Sequence, residues 1–402
     1  MAFECLRQLF ISMLCKGDDE SVRLPDCIVI DILNRLPIEV VVRCQSKRDY
    51  LGALISSRDF KTLHLSKANA RGPMLLLRDS TRTNKKLYVV TNYLTKPHYL
   101  TKPVNMENLY LHSQLLVNNK KYQGVHPPHI RFSCEGVILF VNDARCGKIC
   151  YVLNPTTQEE VIVQRTDHNL LCALYYCPVD HQFKLLSAGV INGSLVVYLV
   201  YTFKTQTWRE IRGTSVNLLP LYKKGSPAMV NRALHWITHY DLQNKPSCDN
   251  NGILIFKMDN EQIYAKPHPG SVCNVAHIDN EHKSMMTLLV MENNLCFCHL
   301  LASQPALALD IWILEHYKKW TWNKTYNINL TPYGPGRNPD YLHRIMKPLY
   351  IQDGIFLFYF KADKYLFLYD LRHKTLNPVQ LPQMIKFRPF GSYIKTLLPI
   401  VA

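Results

Sequence analysis

With 402 residues of which 47% are hydrophobic, the chain is long enough to bury a large core, which excludes a disordered or disulfide-stapled miniature protein. Lys and Arg number 47 against 31 Asp and Glu, a net charge of +16. No zinc-finger, RNA-binding or helix-turn-helix pattern accompanies that surplus, so it is read as a solvated basic surface and nucleic acid is not an expected partner.

The first 20 residues read as an N-terminal extension. Leu9-Phe10-Ile11-Ser12-Met13-Leu14 is apolar but follows Arg7 and Gln8, and Lys16-Gly17-Asp18-Asp19-Glu20 offers no small-residue cleavage site. No apolar run reaches the roughly 18 residues of a spanning helix, so no membrane association is expected. The 13 cysteines lack framework spacing and are read as reduced thiols, which points to the cytoplasm or nucleus and leaves the sequons at Asn192, Asn323 and Asn329 unmodified.

Residues 21–66 form the helical segment. Leu24-Pro25 and Leu36-Pro37 bracket an apolar stretch in which Ile28, Ile32 and Leu36 recur at four-residue spacing, followed by Val41 with Val42, then Leu51, Leu54 and Ile55. Pro37 lacks a donor and ends one helix or opens the next. Two or three short helices of this kind cannot bury all their apolar residues alone, which calls for packing on a partner or another part of the chain.

Residues 67–402 have the texture of short strands rich in Val, Ile, Leu, Tyr and Phe: 74–77, 87–90, 136–141, 150–153, 195–203, 233–237, 253–258, 285–291, 294–300, 309–314, 354–360 and 365–369. So many strands without intervening helices exclude a doubly wound parallel sheet. Five segments repeat an apolar strand, a polar turn and a second strand, beginning at Tyr151, Val200, Ile255, Ile311 and Leu368. Their separation of about 50 to 57 residues is close to the kelch period, and each reads as the outer hairpin of one blade. The fold class expected is therefore α+β by segment, a short helical domain followed by an all-β, kelch-like β-propeller. A sixth, degenerate blade is placed at 73–90. One blade leaves both faces uncovered, whereas radial stacking covers them.

Catalytic motifs are missing: there is no phosphate loop, dinucleotide fingerprint, nucleophile elbow or His-Glu-x-x-His helix. No catalytic residue, metal ligand or cofactor is assigned, and the chain is read as a non-enzyme. Cys296-Phe297-Cys298-His299 is the nearest approach to a metal cluster, but its spacing suits a strand with both thiols on one face. Cys146 with Cys150, Cys172 with Cys177, and the Gly334–Pro339 loop carry no better signal.

The helical segment resembles the F-box motif, and Phe132-Ser-Cys-Glu-Gly-Val-Ile-Leu139, Leu153-Asn-Pro-Thr-Thr157, Val230-Asn-Arg-Ala-Leu-His-Trp-Ile237 and Ile311-Trp-Ile-Leu-Glu315 with Trp320-Thr-Trp322 resemble, in order, elements of plant F-box-associated domains. The resemblance implies a substrate-recognition subunit of a Skp-cullin-F-box ubiquitin ligase. Its F-box would bind a Skp-type adaptor and through it a cullin, and its propeller would bind a target protein. The residues carried over as adaptor-facing or F-box core are Leu24, Pro25, Ile32, Leu33, Leu36, Pro37, Ile38, Val41, Val42, Leu54 and Ile55. Asn154-Pro155, Gly136 and His235-Trp236 have plain structural roles as turn starts and inter-blade packing. The likeness breaks at Lys47-Arg48-Asp49 and at Leu51, which stands where the family carries tryptophan. The alternative is thus a propeller binding module whose F-box no longer couples to ubiquitination. A propeller enzyme would need acids or a metal converging on the central channel.

Overall fold

The computed structural model describes residues 24–46, 50–72, 74–79, 87–90, 106–109, 129–141, 149–164, 170–193, 195–212, 216–220, 226–241, 252–269, 285–303, 306–331, 346–360, 365–379 and 387–401. They fall into two compact units, Met1–Gly72 with Ile394–Leu398, and Pro73–Tyr393 with Pro399–Ala402.

The first unit holds α1 (Asp26–Arg35), α2 (Ile38–Gln45), α3 (Tyr50–Ser56) and α4 (Arg58–Ala70). Pro25 and Pro37 stand just before α1 and α2, where a missing N–H costs nothing, and their carbonyls accept the first helical N–H groups of Ile28 (2.9 Å) and Val40 (2.9 Å). Leu36 is extended (φ −73°, ψ 153°), as a residue preceding proline tends to be, so α1 must stop there. Helix α4 was not legible as a helix because only Phe60 and His64 of its 13 residues are buried. It starts at Ser57, whose hydroxyl accepts the Phe60 N–H at 3.3 Å. The core comprises Val29, Leu33, Ile38, Val40, Val41, Cys44, Leu51, Ile55 and Phe60, joined by Leu397 from the chain's end.

The second unit is built of antiparallel sheets, six among the described residues. The first contains β1 (Met74–Asp79), β2 (Leu87–Val90) and β3 (Met106–Leu109). Next come β4 (His129–Cys134), β5 (Val137–Val141), β6 (Ile149–Asn154) and β7 (Glu159–Gln164), then β8 (Leu170–Cys177), β9 (Gln182–Ile191), β10 (Leu195–Thr202) and β11 (Thr207–Glu210). In the fourth sheet two short segments, β12 (Leu218–Pro220) and β13 (Ala228–Val230), share one edge of β14 (Ala233–Asp241), followed by β15 (Ile253–Lys257) and β16 (Ile263–Lys266). The fifth is β17 (Met286–Met291), β18 (Asn294–Ser303), β19 (Ala306–His316) and β20 (Thr321–Asn329). The sixth is β21 (Met346–Gln352), β22 (Ile355–Phe360), β23 (Tyr365–Asp370) and β24 (Thr375–Val379). The last strand, β25 (Phe387–Tyr393), returns to pair with β1, Met74 opposite Tyr393 and Asp79 opposite Phe387.

Neighbouring sheets meet through their first, inner strands, β25 on β4, β4 on β8, β13 on β17, β17 on β21 and β21 on β25, and the third and fourth sheets share a core in which Cys172 and Tyr175 pack with Trp236 and Phe256, which closes the ring. The strand pairs expected to be outer hairpins are indeed the last two of their sheets, β6–β7, β10–β11, β15–β16, β19–β20 and β23–β24. The region placed as a degenerate sixth blade is a sheet completed by the chain's own C-terminal strand. Alternation along β18 shows how the faces are covered: Cys296 and Cys298 enter the core shared with the sixth sheet, and Phe297 the core shared with the fourth. Pro220, Pro348, Pro378 and Pro389 all lie on edge strands, where a missing donor breaks no ladder.

Candidate functional site

Helix α1 is apolar on two faces. Val29 (2% exposed) and Leu33 (0%) point into the helical core, while Ile28 (45%) points out and Ile32 on the same side is half-buried, with Leu24 (44%) and Pro25 exposed just ahead of them. Ile28 and Ile32, four residues apart within α1, lie on one side of the helix. Polar contacts also tie the helix to the rest of its unit. Tyr50 donates its hydroxyl proton to Asp26 at the helix start, Lys67 pairs with Asp31 at 3.4 Å, and Arg71 donates to the Asn34 carbonyl at 2.9 Å. Arg35 binds Asp31 at 2.7 Å, and the hydrogen bond from its guanidinium lowers the Asp31 pKa against the opposing effect of desolvation. A rigid helix presenting an apolar stripe to solvent is what a helix-reading partner requires.

The residues predicted from sequence separate by burial. Leu24, Pro25 and Pro37 are exposed; Ile32, Leu36, Val42 and Leu54 are half-buried; Leu33, Ile38, Val41 and Ile55 lie in the core. The exposed stripe adds Ile28, which the spacing had already linked to Ile32 but which was not carried over as a site residue. Leu51 is 2% exposed within the core, and Lys47, Arg48 and Asp49 lie outside the described residues.

In the propeller, the motif residues hold blades together. Three indoles reach back to the preceding sheet or the chain leaving it: Trp208 to the Gln164 carbonyl (3.0 Å), Trp236 to that of Cys172 (3.3 Å) and Trp320 to that of Pro267 (2.7 Å). His235 is fully buried between the fourth and fifth sheets, its Nδ1–H donating to the Ala228 carbonyl (3.1 Å) and its Nε2 accepting from the Tyr317 hydroxyl (2.8 Å). Burial drops its pKa to about 4. Asn154 begins a turn by accepting the N–H of Thr156 at 2.9 Å, and Asp370 does the same for Arg372 and His373. Cys296 and Cys298 are buried free thiols; burial pushes the first up to about 12 and raises the second well above the usual thiol value. Among the described residues no group of three or more His, Cys, Asp or Glu is placed to hold a metal ion, and no helix is long and apolar enough to cross a membrane. Cys146 and the Gly334–Pro339 loop lie outside the described residues.

Strand order also sorts the connections. In the second to sixth sheets the turns after the inner strand and before the outer strand share one end of the propeller, and they are tight. Glu135–Gly136, Asn231–Arg232, Glu292–Asn293 and Asp353–Gly354 are two-residue turns with both φ positive. Gln158, Gln206, Glu261, Trp320 and Lys374 each close a four-residue turn with a positive φ. The sequence intervals between described strands at the opposite end include long ones, from Asp241 to Ile253, Lys266 to Met286 and Asn329 to Met346.

Comparison with known proteins agrees with this architecture. Residues 87–397 match the family described as F-box associated beta propeller domain. Among curated relatives, an F-box/kelch-repeat protein of Arabidopsis thaliana is 22% identical over 76% of this chain and 71% of its own length. The F-box proteins At2g21930 and CPR1 of the same plant are 23% and 24% identical, covering 82% and 76% of this chain and 77% and 73% of theirs. Among solved structures, TolB from Acinetobacter baumannii aligns over 83% of this chain and 72% of its own with a TM-score of 0.41 at 8% identity, and the fold assignment rests on the strand pairing instead. The chain belongs to the plant F-box proteins that carry an F-box-associated β-propeller domain.

Proposed function

We propose that this chain is the substrate-recognition subunit of a Skp-cullin-F-box ubiquitin ligase. The outward stripe of α1, Leu24, Pro25, Ile28 and Ile32 with the Leu36-Pro37 corner, docks on a Skp-type adaptor and through it on a cullin. The propeller takes up the target protein, and the end bearing the long inter-strand connections is the surface with room to vary for that purpose. The observation that carries the reading is the exposure of Ile28 on α1, with Leu24 exposed just before the helix, while Val29 and Leu33 of the same helix are buried in the core. Apolar docking gains about 25 cal/mol per Å² removed from water, offset by the entropy of association.

The test is capture of a purified Skp-type adaptor by the full chain. Native protein should bind, and Ile28→Glu should weaken binding by about tenfold or more, because the new carboxylate would have to be desolvated. Binding left unchanged in Ile28→Glu would discard this stripe as the docking surface. A second reading has its own observation: Leu51 fills the core where the family carries the larger tryptophan. It keeps the propeller as a protein-binding module without ubiquitin coupling, and a native chain that captures no adaptor would favour it.

A further inference from the structure

We infer that the pentapeptide Ile394–Leu398 is a structural part of the helical unit that braces the start of α2, making the α1–α2 corner dependent on the far end of the chain. Leu397 is 1% exposed and packs in the same core as Leu33, Ile38 and Val41. Lys395, 356 positions from Glu39 in sequence, reaches it at 2.6 Å, and Glu39 lies in the first turn of α2, two residues past Pro37. Thr396 is fully buried and its hydroxyl accepts the Leu398 N–H at 3.1 Å, so the pentapeptide has a local shape of its own. Beyond it, the Glu159 carboxylate accepts the N–H groups of Ile400 (2.8 Å) and Val401 (3.0 Å), so the tail does not end free.

The need for such a brace follows from size. Helices α2 and α3 have 8 and 7 residues, well short of the roughly 12 to 15 that an isolated helix needs. A helical unit of this length has a small core, and each large apolar side chain is a sizeable share of it. Leu397 supplies one of them and Lys395 fixes where α2 begins. The chain therefore completes its N-terminal unit only after the propeller has been made. The consequence for adaptor docking rests on the function proposed above; the bracing does not.

The experiment is hydrogen exchange on the full-length chain, with adaptor affinity measured in parallel. In Leu397→Ala, amides of α2 and α3 should exchange at least about tenfold faster, as expected for a buried leucine truncation, while those of β18 and β22 keep their native rates. Leu397→Met, nearly the same volume, should restore slow exchange. Lys395→Glu should speed exchange at the start of α2, and the swap Glu39→Lys with Lys395→Glu should reverse it, a readout that stays available if Leu397→Ala unfolds altogether. Unchanged exchange in α2 and α3 in both Leu397→Ala and Lys395→Glu would overturn the inference. Faster exchange in a chain whose native form captures no adaptor would uphold the brace and reject the docking function. Faster exchange with at least about fivefold weaker adaptor binding, rescued by the swap, would uphold both.

Discussion

His235 shows how one side chain ties acid sensitivity to blade packing. Its imidazole is held neutral down to about pH 4 when folded and protonates near 6.5 when free, so between those values the unfolded chain binds more protons. The stabilisation is complete above about pH 6.5 and is lost as the pH falls towards 4, a total of about 3 kcal/mol. Urea melts should show the stability of native protein relative to His235→Gln falling by up to about 3 kcal/mol between pH 6.5 and 4, and a gap independent of pH would refute the argument. The indoles act at the same scale. Trp236→Phe keeps most of the apolar area but leaves the Cys172 carbonyl without its donor, and should cost about 1 to 3 kcal/mol in the same melts. That Trp236 packs between blades was legible in the sequence, since a strand tryptophan has few other uses. Which face of α1 is buried was not: Ile28 with Ile32 and Val29 with Leu33 are both apolar pairs, and periodicity cannot choose between them.

Turns and strands form the next scale. The strands read from sequence at 87–90, 195–203, 253–258, 294–300 and 354–360 are present with ends within three residues of those expected, because apolar runs mark them directly. Strands β7, β11, β16 and β24, outer edges with mixed exposure, are marked in the sequence only as the second arms of the repeated hairpins and not by an apolar run of their own. Glycine announced the tight turn at Gly136 (φ 81°), whereas Gly354 (φ 76°), read as the start of a strand, lies in a turn, and Gln158, Trp320 and Lys374 take positive φ with no compositional hint. At Gly354 a Cβ would come within 3.2 Å of the Arg372 side chain, a flexible neighbour that can yield, so backbone strain dominates. Gly354→Ala should lower stability by about 1 to 2 kcal/mol, read as a lower denaturation midpoint at unchanged slope. No loss would mean that the turn relaxes to another form.

For the whole molecule the decisive pairing is β25 with β1, which closes the ring with the two ends of the propeller chain. Ending the chain at residue 386 removes Leu397 and Lys395 as well as β25, so proteolysis should then cut first in the helical unit and within 74–90, where β1 is left as a bare edge, while β17–β20 stay resistant. Equal resistance of 74–90 and β17–β20 would show that closure contributes little. Local chemistry alone determined the helical start, the strand-rich remainder, the five outer hairpins and the family likeness, because apolar spacing, prolines and turn residues act over a few positions. Tertiary structure decided the rest: which apolar face of α1 meets solvent, that the first sheet borrows the last strand as its inner strand, and that Leu397 joins a helical core begun at Val29 while Lys395 pairs with Glu39. Those pairings join residues more than 300 positions apart, and no short-range pattern records a partner at that distance.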